Sequence, residues 1–457
     1  MRSEHLGRPS WVHGGLSQAL LMTCWTPWGL ALACAATQAC SASPAPELYA
    51  NQASHGDPSQ VAQAILAQAT PPATPHAAPA PASIQTTATP ALAPKLATSP
   101  PPQHAVGTRL IDLSVSASRR LPVQLWYPAV ESARSQADAG RPVLDFEPPG
   151  KRRNQLRQLT QAAGAIYSQR TMHAADAPAV LEQSGQFPLV LISHCNDCTR
   201  FTYFELAERL AARGFVVAAP DHVDNTLYNY VEGNSVGVDL NDFLDTRRLD
   251  MKALADALLD ANASAIPADL RGKIDPERIG MAGHSYGAIT TAYAATVDTR
   301  IRAVAFLAMT VSLGDNLPAL GDELAQRVKV MPFSKPALFL LETEDGINLF
   351  GLDTLIRQNY NDYPKETWLV TMKDGGHYSV TNICGIDFGY SNGCGTGIRT
   401  SQFLAPFAYL DIDKATALTA QLVTTYFEQQ LNGSSTETLE AITAGQPGIL
   451  TLEHRRP

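Results

Sequence analysis

The feature that most restricts the fold is an alternation of short apolar runs with segments of helical periodicity between Phe187 and Leu431. The apolar runs are 187–193, 215–219, 279–282, 301–308, 337–341 and 368–371, and the helical segments are 203–213, 242–259, 288–297 and 415–431. Strands that lack a polar face are buried on both sides, as in parallel sheets covered by helices. The pattern therefore predicts an α/β fold with a doubly wound, mostly parallel sheet.

The residues before these runs predict two additions to the sheet. Segments 108–115 and 121–127 alternate apolar and polar residues, which predicts an antiparallel hairpin. Residues 141–180 are irregular, with a helical stretch near 158–168, and are predicted to form a small cap insertion. The basic run at 151–153 within them is interpreted as a solvated loop, with a phosphate site as the alternative.

The N-terminal residues have the composition of a leader and a spacer. Residues 1–43 combine early arginines, a long apolar stretch and then small residues, which is typical of a signal peptide. A membrane anchor is the alternative, as is a lipidated leader at Cys34 or Cys40. Residues 44–104 are rich in Ala, Pro, Thr, Gln and Ser and cannot bury enough surface to offset the entropy of folding, so a disordered linker is expected rather than a poorly packed subdomain.

The rest of the chain is divided into a globular domain over 105–432 and a C-terminal tail over 433–457. The formal net charge of the whole 457-residue chain is −9, and no stripe of Lys and Arg with interleaved aromatic residues is present in the sequence. Nucleic acid is therefore not expected as a partner.

Cysteine usage favours an oxidising compartment. Of the seven cysteines, three lie in or beside the leader, and the other four form two local pairs, Cys195 with Cys198 and Cys384 with Cys394. Two disulfides are the expected outcome after export. A redox or zinc motif is the alternative for Cys195-x-x-Cys198, but there is no second such motif and no His at metal-ligand spacing, so no metal is expected.

A nucleophile motif follows the third apolar run. Gly283-His284-Ser285-Tyr286-Gly287 has the form G-x-S-x-G between a predicted strand and a predicted helix. In this turn the serine Oγ projects above the sheet, and the two glycines are needed because strand and helix approach closely. The helix behind the serine offers backbone N–H groups where an oxyanion can form. The alternative is a glycine-rich turn without chemistry.

A nucleophilic serine needs a histidine base and an orienting carboxylate, which follow it along the chain in this fold. His377 and His454 are the only histidines that follow Ser285 in the sequence. His377 follows the last apolar run on a glycine loop, whereas His454 lies in the predicted tail. The fifth run leads into Glu342-Thr343-Glu344-Asp345, and Asp345 is the predicted acid because it precedes a turn glycine, with Glu344 and Glu342 as alternatives.

The oxyanion requires two backbone donors. One is expected from Tyr286, which follows the nucleophile, and the other from the loop after the first apolar run. That loop is His194-Cys195-Asn196-Asp197-Cys198, and Asn196 is the predicted donor. A disulfide across this loop would help to preorganise it.

Several stretches together resemble bacterial members of the platelet-activating-factor acetylhydrolase and dienelactone hydrolase group within the α/β-hydrolases. They are Leu121-Pro122-Val123 with Trp126-Tyr127-Pro128, Pro188-Leu189-Val190 leading to Ser193-His194, the stretch from Gly214 to His222, the stretch from Ile274 to Gly280, and Gly283-His284-Ser285-Tyr286-Gly287. The resemblance spans about 107–431 and implies an α/β-hydrolase fold and ester hydrolysis.

The chain differs from that group at two places. The group has Ser-His-Gly-x-Gly where this chain has Ser193-His194-Cys195-Asn196-Asp197. The eukaryotic acetylhydrolases place the acid after the strand that follows the elbow, a position that corresponds to Ala308. The loops at Asp345 and His377 instead resemble those of bacterial lipases and cutinases. Dienelactone hydrolases use cysteine at the elbow, so Ser285 argues against that activity.

The sequence thus predicts an exported, monomeric serine hydrolase that cleaves carboxylic esters of small molecules or lipids without a cofactor. An amidase or peptidase with the same residues is one alternative. A non-catalytic envelope protein, tethered by its leader, is the other.

Overall fold

One mixed sheet of ten strands runs through the residues that the computed structural model describes. These are residues 104–164, 170–239, 242–309, 335–346, 352–402, 405–433, 435 and 437–457. The predicted leader and all but the last residue of the predicted linker lie outside them, as does most of segment 311–336.

The strand order is β14-β11-β10-β9-β8-β6-β7-β2-β1-β5. Strands β6 to β11 pair in parallel, and β2 and β14 pair antiparallel with their neighbours. The strands are β1 (Ala105–Ser114), β2 (Arg120–Ala129), β3 (Arg141–Pro142), β4 (Thr171–Met172), β5 (Ala175–Asp176), β6 (Phe187–Ser193), β7 (Val216–Pro220), β8 (Ile274–His284), β9 (Ile301–Leu307), β10 (Ala337–Glu342), β11 (Thr367–Met372), β12 (Thr396–Ile398), β13 (Pro406–Ala408) and β14 (Leu450–Arg455).

Helices cover both faces of this sheet. They are α1 (Arg134–Ala139), α2 (Lys151–Ala162), α3 (Phe204–Ala212), α4 (Leu227–Glu232), α5 (Asp242–Leu259), α6 (Tyr286–Val297), α7 (Leu352–Asp362), α8 (Ile412–Asn432) and α9 (Leu439–Ala444). Buried side chains of α5 and α6 join one apolar core, and those of α3 and α8 join the other, because alternate residues of each strand face opposite sides. The predicted doubly wound α/β sheet is confirmed.

The chain reverses its direction of winding at β6. Strand β7 pairs with one edge of β6 and β8 with the other. In open parallel sheets a crevice forms at such a switch point, beyond the carboxyl ends of the two strands. Here β6 ends at Ser193, which is in register with Gly283 of the nucleophile motif on β8.

The insertion at 141–180 differs in detail from its prediction. Its helix α2 begins at Lys151 rather than near 158, and the basic run forms the first turn. Arg152 pairs with Asp221 at 3.0 Å and Arg153 with Asp145 at 2.7 Å, so this run is not a solvated loop. The prediction was wrong because partners that are distant in sequence give these cations a fixed place.

A buried ion network joins the insertion to the main sheet. The Arg200 guanidinium lies 2.6 Å from Glu147 of the insertion and 2.9 Å from Asp221 at the end of β7. All three side chains are nearly inaccessible to solvent. Removing one partner would leave an uncompensated buried charge, which is strongly destabilising.

The C-terminal residues, predicted to be a tail, are part of the fold. Helix α9 packs into the core, and β14 pairs antiparallel with β11 from Leu450 to Arg455. His454 stacks on the Trp368 ring at 4.5 Å between centroids. The tail prediction was wrong because a single edge strand with one exposed face carries too few apolar residues to be recognised by pattern. In the described part of the chain no helix is long and apolar enough to cross a bilayer.

Candidate active site

The nucleophile motif forms a strained turn at the carboxyl end of β8. Ser285 has φ 54° and ψ −123°, a conformation that costs a non-glycine residue energy and recurs at functional sites. Its backbone N–H donates to the Leu307 carbonyl oxygen at 3.0 Å, and α6 begins at the next residue. The surrounding strand and helix therefore hold Ser285, which is half-buried, at the crevice.

Steric contacts explain why both flanking positions are glycine. A Cβ atom on Gly283 would lie 2.0 Å from the Gly287 carbonyl oxygen. A Cβ atom on Gly287 would lie 2.0 Å from the Ser193 carbonyl oxygen and 2.7 Å from that of His194. The second contact also shows that the end of β6 touches the elbow, which brings the predicted oxyanion loop beside Ser285.

The predicted base and acid are hydrogen-bonded to each other. His377 Nδ1 and Asp345 Oδ2 are 2.8 Å apart, and both side chains are buried. Asp345 follows β10 and His377 follows β11, and these strands are in register from Ala337 to Glu342. The geometry leaves Nε2 of the imidazole for a reacting group, since Nδ1 is held by the carboxylate.

The two acidic alternatives have other partners. Glu344 accepts hydrogen bonds from Arg399 and Ser401 at 2.8 and 2.6 Å, and although burial opposes the shift, these bonds lower the pKa of its carboxyl. Glu342 is buried at the end of β10, where burial and the neighbouring Asp345 and Asp353 raise the pKa of its carboxyl well above 4.5. Of the three carboxylates, only Asp345 bonds His377.

Within the described residues no group of three or more His, Cys, Asp or Glu could hold a metal ion.

Asn392 is a site residue that the sequence did not indicate. Its Oδ1 accepts the His377 backbone N–H at 2.6 Å and the Gly346 backbone N–H at 3.1 Å, and its Nδ2 donates to the Tyr409 hydroxyl at 2.8 Å. It therefore joins the base loop to the acid loop. Asparagine is common in loops, and neither its type nor its spacing could have revealed this contact.

Both predicted cysteine pairs are bonded, and each disulfide lies next to one half of the site. Cys195 and Cys198 enclose Asn196 directly after β6. Cys384 and Cys394 close the loop that carries Asn392.

The backbone N–H groups of the two predicted oxyanion donors, Tyr286 and Asn196, have no hydrogen-bond acceptor among the described residues. The Asn196 side chain is engaged, since its Nδ2 donates to Asp197 at 2.7 Å and its Oδ1 accepts from Asn225 at 2.8 Å. Asp197 has φ 55°, which turns the loop sharply.

A buried polar network supports the end of β6. The Ser193 hydroxyl lies 2.9 Å from His222 Nε2, and His222 Nδ1 lies 2.9 Å from Asp250. The His222 backbone N–H donates to His194 Nε2 at 2.9 Å. Burial, and then the neighbouring Arg247, lowers the pKa of both imidazoles well below 6.5, and their hydrogen bonds support the loop after β6.

His284 connects the elbow to the base loop. Its Nδ1 lies 2.8 Å from the Tyr203 hydroxyl, and its ring centroid is 4.6 Å from that of His377. Burial and the nearby His377 lower the pKa of this imidazole well below 6.5. The predicted elbow, base and oxyanion loop thus meet at one edge of the sheet.

One solved structure of a known protein agrees with this architecture. A ferulic acid esterase from Streptomyces cinnamoneus superposes with a TM-score of 0.54 at 21% identity, covering 78% of this chain and 98% of that one. A dienelactone hydrolase-like promiscuous phosphotriesterase from metagenomic libraries gives a TM-score of 0.42 at 13% identity, with coverage of 71% and 99%. No curated protein sequence matches the chain. The sheet order, the elbow and the first of these likenesses define an α/β-hydrolase fold.

The resemblance to a particular family is confirmed as well. The model of the family described as platelet-activating factor acetylhydrolase, isoform II, matches residues 102–242. This range contains the hairpin, β6, the oxyanion loop and β7, and it ends before the elbow.

Proposed function

We propose that this protein is a serine hydrolase that cleaves carboxylic esters through an acyl-enzyme on Ser285. The observation that carries the proposal is the Asp345–His377 hydrogen bond of 2.8 Å, beside a strained Ser285 at the switch point of the sheet. The ring of His284, the residue before the nucleophile, lies against the ring of His377, which supports a short path between base and nucleophile.

In the first half-reaction, His377 Nε2 accepts the proton of the Ser285 hydroxyl as Oγ attacks the ester carbonyl carbon. The carbonyl π electrons move to oxygen and form a tetrahedral oxyanion. Asp345 keeps the proton of His377 on Nδ1 and stabilises the imidazolium. The imidazolium then protonates the leaving alkoxide as the C–O bond breaks, which yields an alcohol and an acyl-serine.

In the second half-reaction water repeats the sequence. His377 takes a proton from the water as its oxygen attacks the acyl carbon, and returns the proton to Ser285 Oγ when the acid leaves. We assign stabilisation of both oxyanions to the Tyr286 and Asn196 backbone N–H groups. In the described part of the chain neither group has an acceptor, which supports this role. One such donor contributes about 10²- to 10³-fold to kcat.

The comparisons suggest which classes of ester to test as substrates. The matched family is described as platelet-activating factor acetylhydrolase, isoform II, and the similar structure is a ferulic acid esterase. We therefore propose short-acyl and aryl esters as the first substrates to test, with short-acyl phospholipids and polyesters beside them.

The test is active-site labelling followed by turnover on matched ester and amide panels. The wild-type protein and the Ser118→Ala control, altered in the exposed turn of the hairpin, should react with a fluorophosphonate and hydrolyse esters. Ser285→Ala should do neither. Absence of labelling and turnover in the wild type would favour a binding protein on this fold, and faster amide than ester hydrolysis would favour an amidase.

We also propose that the protein is exported, because two disulfides close loops of the site and such bonds persist in oxidising compartments. Fractionation of a bacterial host, with sequencing of the N-terminus of the mature protein, tests this proposal. Recovery of a full-length, fully reduced chain from the cytoplasm alone would contradict it.

A further inference from the structure

Arg247 is a buried cation behind the proposed oxyanion hole. It lies in the second turn of α5, and none of its side chain is exposed. Within the described residues no carboxylate forms an ion pair with it, and its Nε has no hydrogen-bond partner. Burial lowers the pKa of its guanidinium to about 10, so the group is still charged at neutral pH.

A cation in this position is costly for folding. Transfer of a charge from water into the interior costs several kcal/mol, and well-packed apolar residues often replace buried ions without loss of stability. Because folding stability does not explain a cation here, we infer the role of Arg247 from the residues that it contacts.

These contacts reach both sides of the proposed oxyanion hole. The Nη2 atom of Arg247 donates to the His194 carbonyl oxygen and, at 3.2 Å, to the Ser193 hydroxyl. These two bonds fix the end of β6. The guanidinium carbon lies 4.3 Å from the centroid of the Tyr286 ring. The Tyr286 hydroxyl in turn donates to the Asp239 carbonyl oxygen, which holds that ring in place.

A second branch leads to the other donor. Arg247 Nη1 donates to Asn225 Oδ1 at 2.8 Å, and Asn225 Nδ2 donates to Asn196 Oδ1 at 2.8 Å. The same Asn225 amide contacts Asp197 at 3.2 Å. One guanidinium thus contacts Tyr286 directly and Asn196 through a single side chain.

We propose that Arg247 is the positioning residue of the oxyanion hole: it holds the Tyr286 and Asn196 donors in one arrangement, and its charge favours an anion there. This inference rests on the proposed function. A preorganised donor pair with a fixed positive charge behind it stabilises the transition state more than the ground state, so the effect belongs in kcat.

The test uses Arg247→Lys, Arg247→Met and the control Arg248→Met. Arg248 is the next residue on α5, where it pairs with Asp245 at 2.8 Å and lies 5.3 Å from the centroid of the Tyr293 ring, so it offers similar chemistry away from the site. We expect kcat to fall about 10-fold in Arg247→Lys and about 100-fold in Arg247→Met, with little change in KM, and no change in the control.

The decisive readout is the ratio of rates on an ester and on its thionoester, in which sulfur replaces the carbonyl oxygen. Sulfur is a poor hydrogen-bond acceptor, so a functional oxyanion hole favours the oxygen ester. The ratio should fall in both Arg247 variants by about the factor lost in kcat. If both rates fall together and the ratio stays at the wild-type value, Arg247 is merely structural and the inference is overturned.

Loss of folding, loss of the proposed function and failure of this inference give different results. Should Arg247→Met fail to fold, as judged by its thermal transition, Arg247→Lys and Asn225→Ala decide the matter through the same ratio. Asn225→Ala breaks the branch to Asn196, together with the bonds of that amide to Asp197, Ser235 and Gly237, and keeps Arg247 itself in place. A wild-type protein without turnover would overturn the proposed function and this inference with it. An active wild type with an unchanged ratio in the variants overturns the inference alone.

Discussion

The two halves of the site are supported in different ways. In the half formed by Asp345 and His377, the neutral side-chain amide of Asn392 joins the two loops that carry these residues. Asn392 lies in the loop that the Cys384–Cys394 disulfide closes. The oxyanion half is supported by a buried network that includes Arg247, Arg119 and Asp250, and its disulfide encloses the proposed donor. In the proposed mechanism the first half contains an ion pair between Asp345 and the imidazolium of His377, whereas in the second half the groups that contact the oxyanion are backbone N–H dipoles. A buried cation is therefore useful on the oxyanion side.

The largest expected effect lies in the acid–base half. Asp345→Asn should keep the fold but favour the wrong tautomer of His377, and kcat should fall about 10⁴-fold. Steady-state kinetics on an activated ester measure this loss. Glu344→Gln is the matched control, because Glu344 bonds Arg399 and Ser401 rather than His377. An equal loss of kcat in the control would refute the assignment of Asp345.

Removing each disulfide should separate the two halves. Cys195→Ser with Cys198→Ser should lower kcat about 10- to 100-fold and lower the ester-to-thionoester ratio, because the loop of Asn196 is released. Cys384→Ser with Cys394→Ser should lower kcat but leave that ratio unchanged, because it loosens the His377 support. The Cys384–Cys394 disulfide closes the longer loop, so it should contribute more to the free energy of unfolding. We expect about 3 kcal/mol from it and about 2 kcal/mol from Cys195–Cys198. The same change of ratio in both double variants would contradict the division of the site.

A smaller effect is expected at Asn392. Asn392→Ala leaves the His377 backbone N–H without its acceptor and should lower kcat about 10-fold, in the range for loss of a supporting hydrogen bond. The ester-to-thionoester ratio should stay at the wild-type value. Asn392→Asp, which keeps the acceptor, should recover part of the rate. Failure of that recovery would show that the side chain acts otherwise than through its Oδ1 atom.

The smallest effect is expected at Glu342, and it concerns stability. Because burial raises the pKa of this carboxyl well above 4.5, the folded protein keeps a proton that the unfolded chain releases. The wild-type free energy of unfolding therefore loses a contribution as pH rises above about 4.5 toward the folded-state pKa. Glu342→Gln carries no titrating group, so its stability relative to wild type should increase between about pH 5 and about pH 8. Denaturant titrations at both values test this sign, and a relative stability independent of pH would show that Glu342 is ionised when folded.

The architecture was predictable because its signals are local. Buried parallel strands are continuous apolar runs, and the predicted limits of β6 and α5 agree with the structure, at Phe187–Ser193 and Asp242–Leu259. The elbow was predictable because steric contact leaves only glycine at Gly283 and Gly287. The cysteine pairs were also predictable, since each is close in sequence.

The sequence by itself thus determined the α/β-hydrolase sheet, the strained position of Ser285 and the loops on which its candidate partners lie. Only the tertiary structure decided which of three neighbouring carboxylates meets His377, that Asn392 joins their loops, and that Arg247 lies behind the proposed oxyanion hole. It also placed the C-terminal residues in the sheet as β14. The physical reason is that apolar periodicity records which side of an element is buried, whereas a polar contact depends on where two distant segments meet, and no local pattern encodes that distance.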